Sequence, residues 1–290
     1  MTTVGAVFLP QNPPERLRDV VRAADDAGLA ELWLWEDCFL ESGVATTAAA
    51  LAFTERVRVG VGLLPVPLRN VALTAMETAT LDRLFPGRVR IAVGHGVQSW
   101  MGQVGARVES PVTLLREYLG ALRALLAGER VTTAGRYVRL DGVALDWPPP
   151  APTPILAGAT GPRSLRLCGE AADGTVLVAG TTPDGVRAAK ALVDEGRAAA
   201  GRTDPHPLVV YLHCATGPDA EARLAAVYAR EAYADVADRG LSGSAAAVAE
   251  GARRWVDAGA DTIVLQPTDD DPDPAGFTLF AAAVGRELSP

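Results

Sequence analysis

Two carboxylates and a thiol stand together in the segment WLWEDCF, where Glu36, Asp37 and Cys38 follow an apolar run. Carboxylates where a buried strand surfaces can hold or pass a proton, whereas a thiol becomes a nucleophile only when its pKa is lowered. The acids beside Cys38 oppose a thiolate, so Asp37 is the better candidate for proton chemistry and Glu36 for a charge partner. Cys38 equally fits a small buried packing residue. His95 joins Asp37 and Cys38 as a catalytic candidate, because in GHGVQSW it lies between Gly94 and Gly96 with little crowding. A histidine there can donate to an anionic ring oxygen, shuttle a proton, or make a structural hydrogen bond.

A second stretch, GATGPRSL, points to anion binding. Gly158 and Gly161 let backbone approach a ligand, Ala159 is small, Thr160 carries a hydroxyl, and Pro162 suits a first helical turn, where free amides attract phosphate. A tight turn with a threonine cap fits the same spacing. A third, VGVGLLPVPLRN, is poor in residues for an uninterrupted strand, so either a bulge near Gly62 and Leu63 or an early strand end at Gly62 is expected. Trp33 or Trp35, Phe39 and Trp100 are the aromatic residues that such a wide, glycine-rich site would use against a flat ring. No metal site is expected: His206 and His213 are isolated, and Cys38, Cys168 and Cys214 are widely spaced without a CxxC pair.

The elements that must carry these residues alternate regularly. Apolar runs at residues 4–10, 31–37, 56–65, 89–96, 154–158, 174–180, 208–217 and 260–267 read as strands, and Ala, Leu and Arg-rich segments of helical period separate them. Between the fourth helix and the fifth strand, residues of about 128–153 read as an inserted β-hairpin followed by a proline run. Eight strand and helix units in 290 residues predict an α/β fold, a single (β/α)8 barrel over residues 1–290. A doubly wound sheet is the rival, but no GxGxxG opens a helix after the first strand. In a barrel, Asp37, Gly62, Gly94, His95 and residues 158–162 all fall at the C-terminal strand ends, where chemistry gathers.

Composition narrows the function. With 49% apolar residues, 21% charged residues and a net charge of −8, the chain is a globular protein with no basic stripe for nucleic acid. No apolar run approaches a membrane span of about 20 residues, and the start lacks the pattern of a signal peptide, so a cytoplasmic location is expected.

The segments ELWLWED, VRVGVGLLPVPLRN with ATLDRLFPGRVRIAVGHG, and GATGPRSLRLCGEAADGTVLVAG resemble, in this order, the bacterial luciferase-like oxidoreductases that use flavin or deazaflavin. The branch most similar is that of the methylenetetrahydromethanopterin reductase-like proteins. The resemblance implies a barrel binding coenzyme F420, or alternatively FMN, at its C-terminal mouth, and commonly a homodimer. It implies a bulge with a non-prolyl cis peptide at Gly62 and Leu63 behind the ring, a phosphate loop at Ala159, Thr160, Gly161 and Pro162, and a glycine strand end at Gly94 and Gly96. Two positions depart from the family pattern. Cys38 stands where many deazaflavin-using members have histidine after the aspartate, and Val97 where sugar-phosphate dehydrogenases have an acid, which argues against a sugar phosphate substrate. The expected activity is hydride transfer between F420 and a small organic substrate. The alternatives are an FMN-dependent monooxygenase and a non-catalytic, cofactor-binding barrel subunit.

Overall fold

In the computed structural model, which describes residues 2–151, 153–233 and 237–288, the eight expected strands close into one parallel barrel. They are β1 (Thr3–Val7), β2 (Glu31–Leu34), β3 (Arg58–Pro65), β4 (Val89–Gly94), β7 (Ile155–Gly158), β8 (Gly174–Leu177), β9 (Leu208–Ala215) and β11 (Thr262–Gln266). The sheet runs β9-β11-β1-β2-β3-β4-β7-β8, and pairing of Thr175 with Leu208 and of Leu177 with Val210 closes it. The inserted hairpin is β5 (Val131–Ala134) and β6 (Arg139–Val143), antiparallel and separate from the barrel. A three-residue strand, β10 (Gly240–Ser242), pairs with the last part of β9.

The helices α1 (Leu17–Asp26), α2 (Gly43–Ala52), α3 (Val71–Leu84), α4 (Gln98–Gln103), α5 (Pro111–Leu126), α6 (Pro162–Ala171), α7 (Pro183–Ala199), α8 (Ala220–Arg230), α9 (Ala245–Asp257) and α10 (Pro274–Leu288) complete the fold. α1 shows why they pack: Leu17, Val20, Val21 and Ala24 recur at helical spacing and are all buried. Side-chain oxygens of Ser42, Asn70, Thr182 and Ser244 cap α2, α3, α7 and α9, satisfying amides that have no partner within the helix.

Inside the barrel, side chains follow the strand period of two. Val7, Leu9, Trp33, Ala92, Leu156, Val176, Val209, Tyr211 and Val264 form the interior cluster. Trp33 fills its centre, fully buried, with its indole N–H donating to Glu31 at 3.0 Å. Of the two tryptophans in WLWED, either of which the sequence offered for the mouth, Trp35 emerges there, half-buried. α4 and β10 were not expected from the sequence.

Candidate active site

One half of the C-terminal mouth is built by β3, β4, β7 and β8. Val61 pairs with Ile91 but Leu64 with Val93, so β3 carries one extra residue at Gly62 and Leu63, and the Gly62–Leu63 peptide is cis. The Tyr211 hydroxyl donates to the Gly62 carbonyl at 3.2 Å, and burial raises its pKa. The bulge sets Leu63 partly exposed on top of the interior cluster. A Cβ at Gly94 or at Gly158 would come within 2.5 Å of Leu63 Cδ2, so these two glycines make room for Leu63. Gly96 has φ +65° and turns the chain out of β4 over Pro65 and Met101.

Beyond the strand ends, His95 Nε2 and Ser164 Oγ lie 2.8 Å apart. The histidine thus reaches across to the first turns of α6, and burial lowers its pKa, leaving a neutral imidazole at pH 7. α6 starts at Gly161 and Pro162 without any side-chain cap. Thr160 is exposed, so the threonine-capped turn considered from the sequence is not formed here. Phe39, Leu40, Val97 and Val178 are exposed apolar residues that follow β2, β4 and β8.

After β2, Glu36 accepts from the Gly43 amide at 3.0 Å and pairs with Arg69 at 3.2 Å, and Arg69 also binds Glu77. Glu36 is therefore a structural charge partner that ties the β2 loop to α2 and α3. Burial raises the pKa of Asp37. Burial and the neighbouring Glu36 and Asp37 raise that of Cys38, which disfavours a thiolate. The Cys38–Phe39 peptide is also cis.

The other half of the mouth lies over β9, β11, β1 and β2, which are consecutive around the barrel. The strand period carries the interior positions outward from Trp33 to Trp35 and Asp37, from Tyr211 to His213, from Val264 to Gln266, and from Leu9 to Gln11. These five outer residues meet around a cavity of about 190 Å³. Its remaining wall includes Val227, Arg230 and Glu231 at the end of α8. His213 is thus not isolated, as its place in the sequence suggests; it shares this cavity with Asp37. The acidic loop after β11 holds the wall in place, since Asp269 pairs with Arg230 at 2.9 Å and Asp271 with Arg223 at 3.4 Å.

A larger cavity, about 880 Å³, opens at the opposite end, among Glu31, Arg58, Arg90 and Asp173. Glu31 there is buried and paired with Arg58 at 3.1 Å and Arg90 at 3.4 Å, and that end of a barrel serves stability. Asp37, Cys38, Gly62, Leu63, Gly94, His95, Gly96 and residues 158–162 all gather at the C-terminal end, but Asp37 belongs to the second half and the loop at 158–162 to the first. Sequence reading passed over Ser164, Tyr211, Gln266 and Gln11. Among the described residues no group of three or more His, Cys, Asp or Glu side chains is arranged to hold a metal ion. No described helix is long and apolar enough to cross a membrane.

The sequence and the fold have parallels among known proteins. The 5,10-methylenetetrahydromethanopterin reductase of Methanolobus tindarius is 30% identical over 221 residues, which are 76% of this chain and 67% of that protein. The F420-dependent glucose-6-phosphate dehydrogenase of Nakamurella multipartita is 30% identical over 182 residues, 59% of this chain and 54% of that protein. The chain thus matches about half the length of that dehydrogenase. A solved F420-dependent secondary alcohol dehydrogenase, in complex with an F420-acetone adduct, superposes with a TM-score of 0.88 at 21% identity, covering 100% of this chain and 99% of that one, and so shares the fold. The luciferase-like monooxygenase family model matches residues 2–276. The chain therefore belongs to the luciferase-like monooxygenase family and is an enzyme of that family.

Proposed function

We propose that the chain moves a hydride between coenzyme F420 and a small organic substrate at the C-terminal mouth. The observation that carries this reading is the two-part mouth: an apolar shelf with an uncapped helix start on one side, and a polar cavity containing Asp37 on the other. Leu63 and the exposed Phe39, Leu40, Val97 and Val178 offer a flat ring the apolar cover that they lack. Ala159, Thr160, Gly161 and Pro162, at the uncapped start of α6, suit the phosphate of its tail. Gly94 and Gly158 contribute through Leu63, and His95, neutral and held by Ser164, has its place between shelf and phosphate.

When bound, the deazaflavin supplies the hydride acceptor or donor. Oxidation of a hydroxyl-bearing carbon also releases a proton from its oxygen, and Asp37 is the side chain available to take it. Burial favours its protonated form, which suits a group that gains a proton in one direction and gives it back in the other. F420 is favoured over FMN because the similar dehydrogenase is F420-dependent.

Titration of the protein with F420 and with FMN, followed by ring fluorescence, tests the reading; binding of neither removes it. The family's monooxygenase description supports a second reading, an enzyme that uses reduced FMN and oxygen. Oxygen-dependent conversion of a candidate substrate with reduced FMN would establish that reading, and turnover unaffected by oxygen would exclude it. We infer that the partner is a second copy of this chain: Leu73, Met76 and Leu84 form an exposed apolar stripe along α3.

A further inference from the structure

The cavity over β9, β11, β1 and β2 has properties that restrict what can enter it. Its volume, about 190 Å³, is somewhat above the roughly 150 Å³ of an engineered cavity that holds benzene. A group the size of a six-membered ring with one substituent fits. It lies on the half of the mouth away from the loop at 158–162, so a cofactor phosphate and this cavity do not compete for space.

The charges of its lining are unbalanced. Asp37, Glu231 and Asp269 bring three carboxyl groups and Arg230 one guanidinium, which Asp269 already pairs at 2.9 Å. His213 adds no positive charge at pH 7, because burial, and then Arg230, lower its pKa to about 4. Among the described lining residues an incoming anion therefore finds no unpaired cation. Gln11 and Gln266 offer amide donors and acceptors, and the buried imidazole has its Nδ1 without a hydrogen-bond partner among the described residues. Paired donors and acceptors without net positive charge recognise a hydroxyl or carbonyl.

We propose that this cavity is the substrate-specificity subsite, that it accepts the neutral hydroxyl- or carbonyl-bearing end of the substrate, and that it excludes phosphorylated and carboxylated ones. The proposal rests on the oxidoreductase reading and adds to it the substrate class and the wall that selects it. Asp37, His213, Gln11 and Gln266 hold the oxygen-bearing end. Val227 closes the cavity from α8, and Glu231 repels anions at its edge.

The test uses the full chain at pH 7.5, with and without F420, and two ring probes, cyclohexanol and cyclohexanecarboxylate, followed by saturation-transfer NMR. Cyclohexanol is expected to bind at least tenfold more tightly than cyclohexanecarboxylate. Val227→Phe, which fills the cavity, is expected to abolish that binding while F420 affinity stays within twofold. Glu231→Gln, which keeps shape and removes charge, is expected to tighten cyclohexanecarboxylate at least threefold. Gln266→Leu is a milder variant, expected to weaken cyclohexanol at least fivefold if Val227→Phe does not fold. Equal or tighter binding of the carboxylate, or cyclohexanol binding unaffected by the variants, overturns the subsite. So does loss of F420 affinity in folded Val227→Phe, since the cavity would then belong to the cofactor. Failure of the wild-type chain to bind F420 and FMN is a different result: it removes the oxidoreductase reading, while the cofactor-free titration still decides whether the cavity selects a neutral group over an anion.

Discussion

Gly94 and Gly158 can be tested as spaces reserved for one side chain. A Cβ built at either lies 2.5 Å from the same atom, Leu63 Cδ2, well inside the ~3.5–4.0 Å of a favourable carbon contact. Because both glycines face that one methyl, Leu63 cannot yield to one without meeting the other. Gly158→Ala should therefore cost about 1–3 kcal/mol, the range of an overpacked core. Leu63→Ala, at a half-buried position, should cost about 1–2 kcal/mol. In the double variant the methyl is gone, and the alanine at 158 should be close to free. The coupling measured by the cycle is then about 1–3 kcal/mol in the direction of relief. Urea unfolding of the four proteins, read by far-ultraviolet circular dichroism, gives the cycle, and F420 titration of each gives a second reading. A Gly158→Ala penalty that is the same with and without Leu63 would refute the packing argument. If Gly158 met a ligand directly, the double variant would lose F420 affinity while regaining stability.

The remaining expectations are simpler. Asp37→Asn should reduce turnover at least tenfold with F420 affinity unchanged, as stopped-flow and titration would show; unchanged turnover removes Asp37 from proton transfer. Both carboxylate oxygens of Glu41 are buried without a hydrogen-bond partner among the described residues, and burial pushes its pKa from 4.5 up to about 7. The folded chain then keeps a proton that the unfolded chain releases, so this group makes stability fall as pH rises from 4.5 to 7. Glu41→Gln should thus gain about 1–2 kcal/mol at pH 8 relative to pH 4.5, allowing for its partial exposure; a pH-independent effect in urea unfolding contradicts this. Arg69→Met leaves Glu36 and Glu77 without their shared cation and should destabilise by about 3 kcal/mol, less if Glu77 turns to solvent. Met76→Asp, in the exposed stripe of α3, should convert a dimer to a monomer in sedimentation; a monomeric wild type contradicts that expectation.

How far these sites were legible depends on whether their residues are neighbours in the chain. All eight barrel strands were visible because each is a compact apolar run set off by helical sequence. β10 escaped because Gly240–Ser242 has only one apolar residue, and α4 because Gln98–Gln103 is six residues without a side-chain cap. The stretch at 158–162 and the acids at 36–37 were equally visible, being contiguous. The cavity was not, because it is assembled by the last inward positions of four strands, and the inward direction of a strand is not fixed by its own sequence when both faces are apolar. One buried ring settles it. With Trp33 inside the barrel, period two sends Trp35 and Asp37 inward as well, and the same phase on the neighbouring strands selects Gln11, His213 and Gln266.

Glycine poses a related problem. Its presence at 94 and 158 announces that something approaches the backbone, but a side chain 31 or 95 positions earlier satisfies that demand as well as a ligand does. What the glycines permit is a bulged strand with Leu63 lodged between two others, and that leucine is what the mouth presents upward. A ligand resting on this shelf would depend on Gly94 and Gly158 only through Leu63. Substitutions at the glycines should then change stability and affinity together, whereas Thr160, exposed beside the uncapped start of α6, should affect affinity alone.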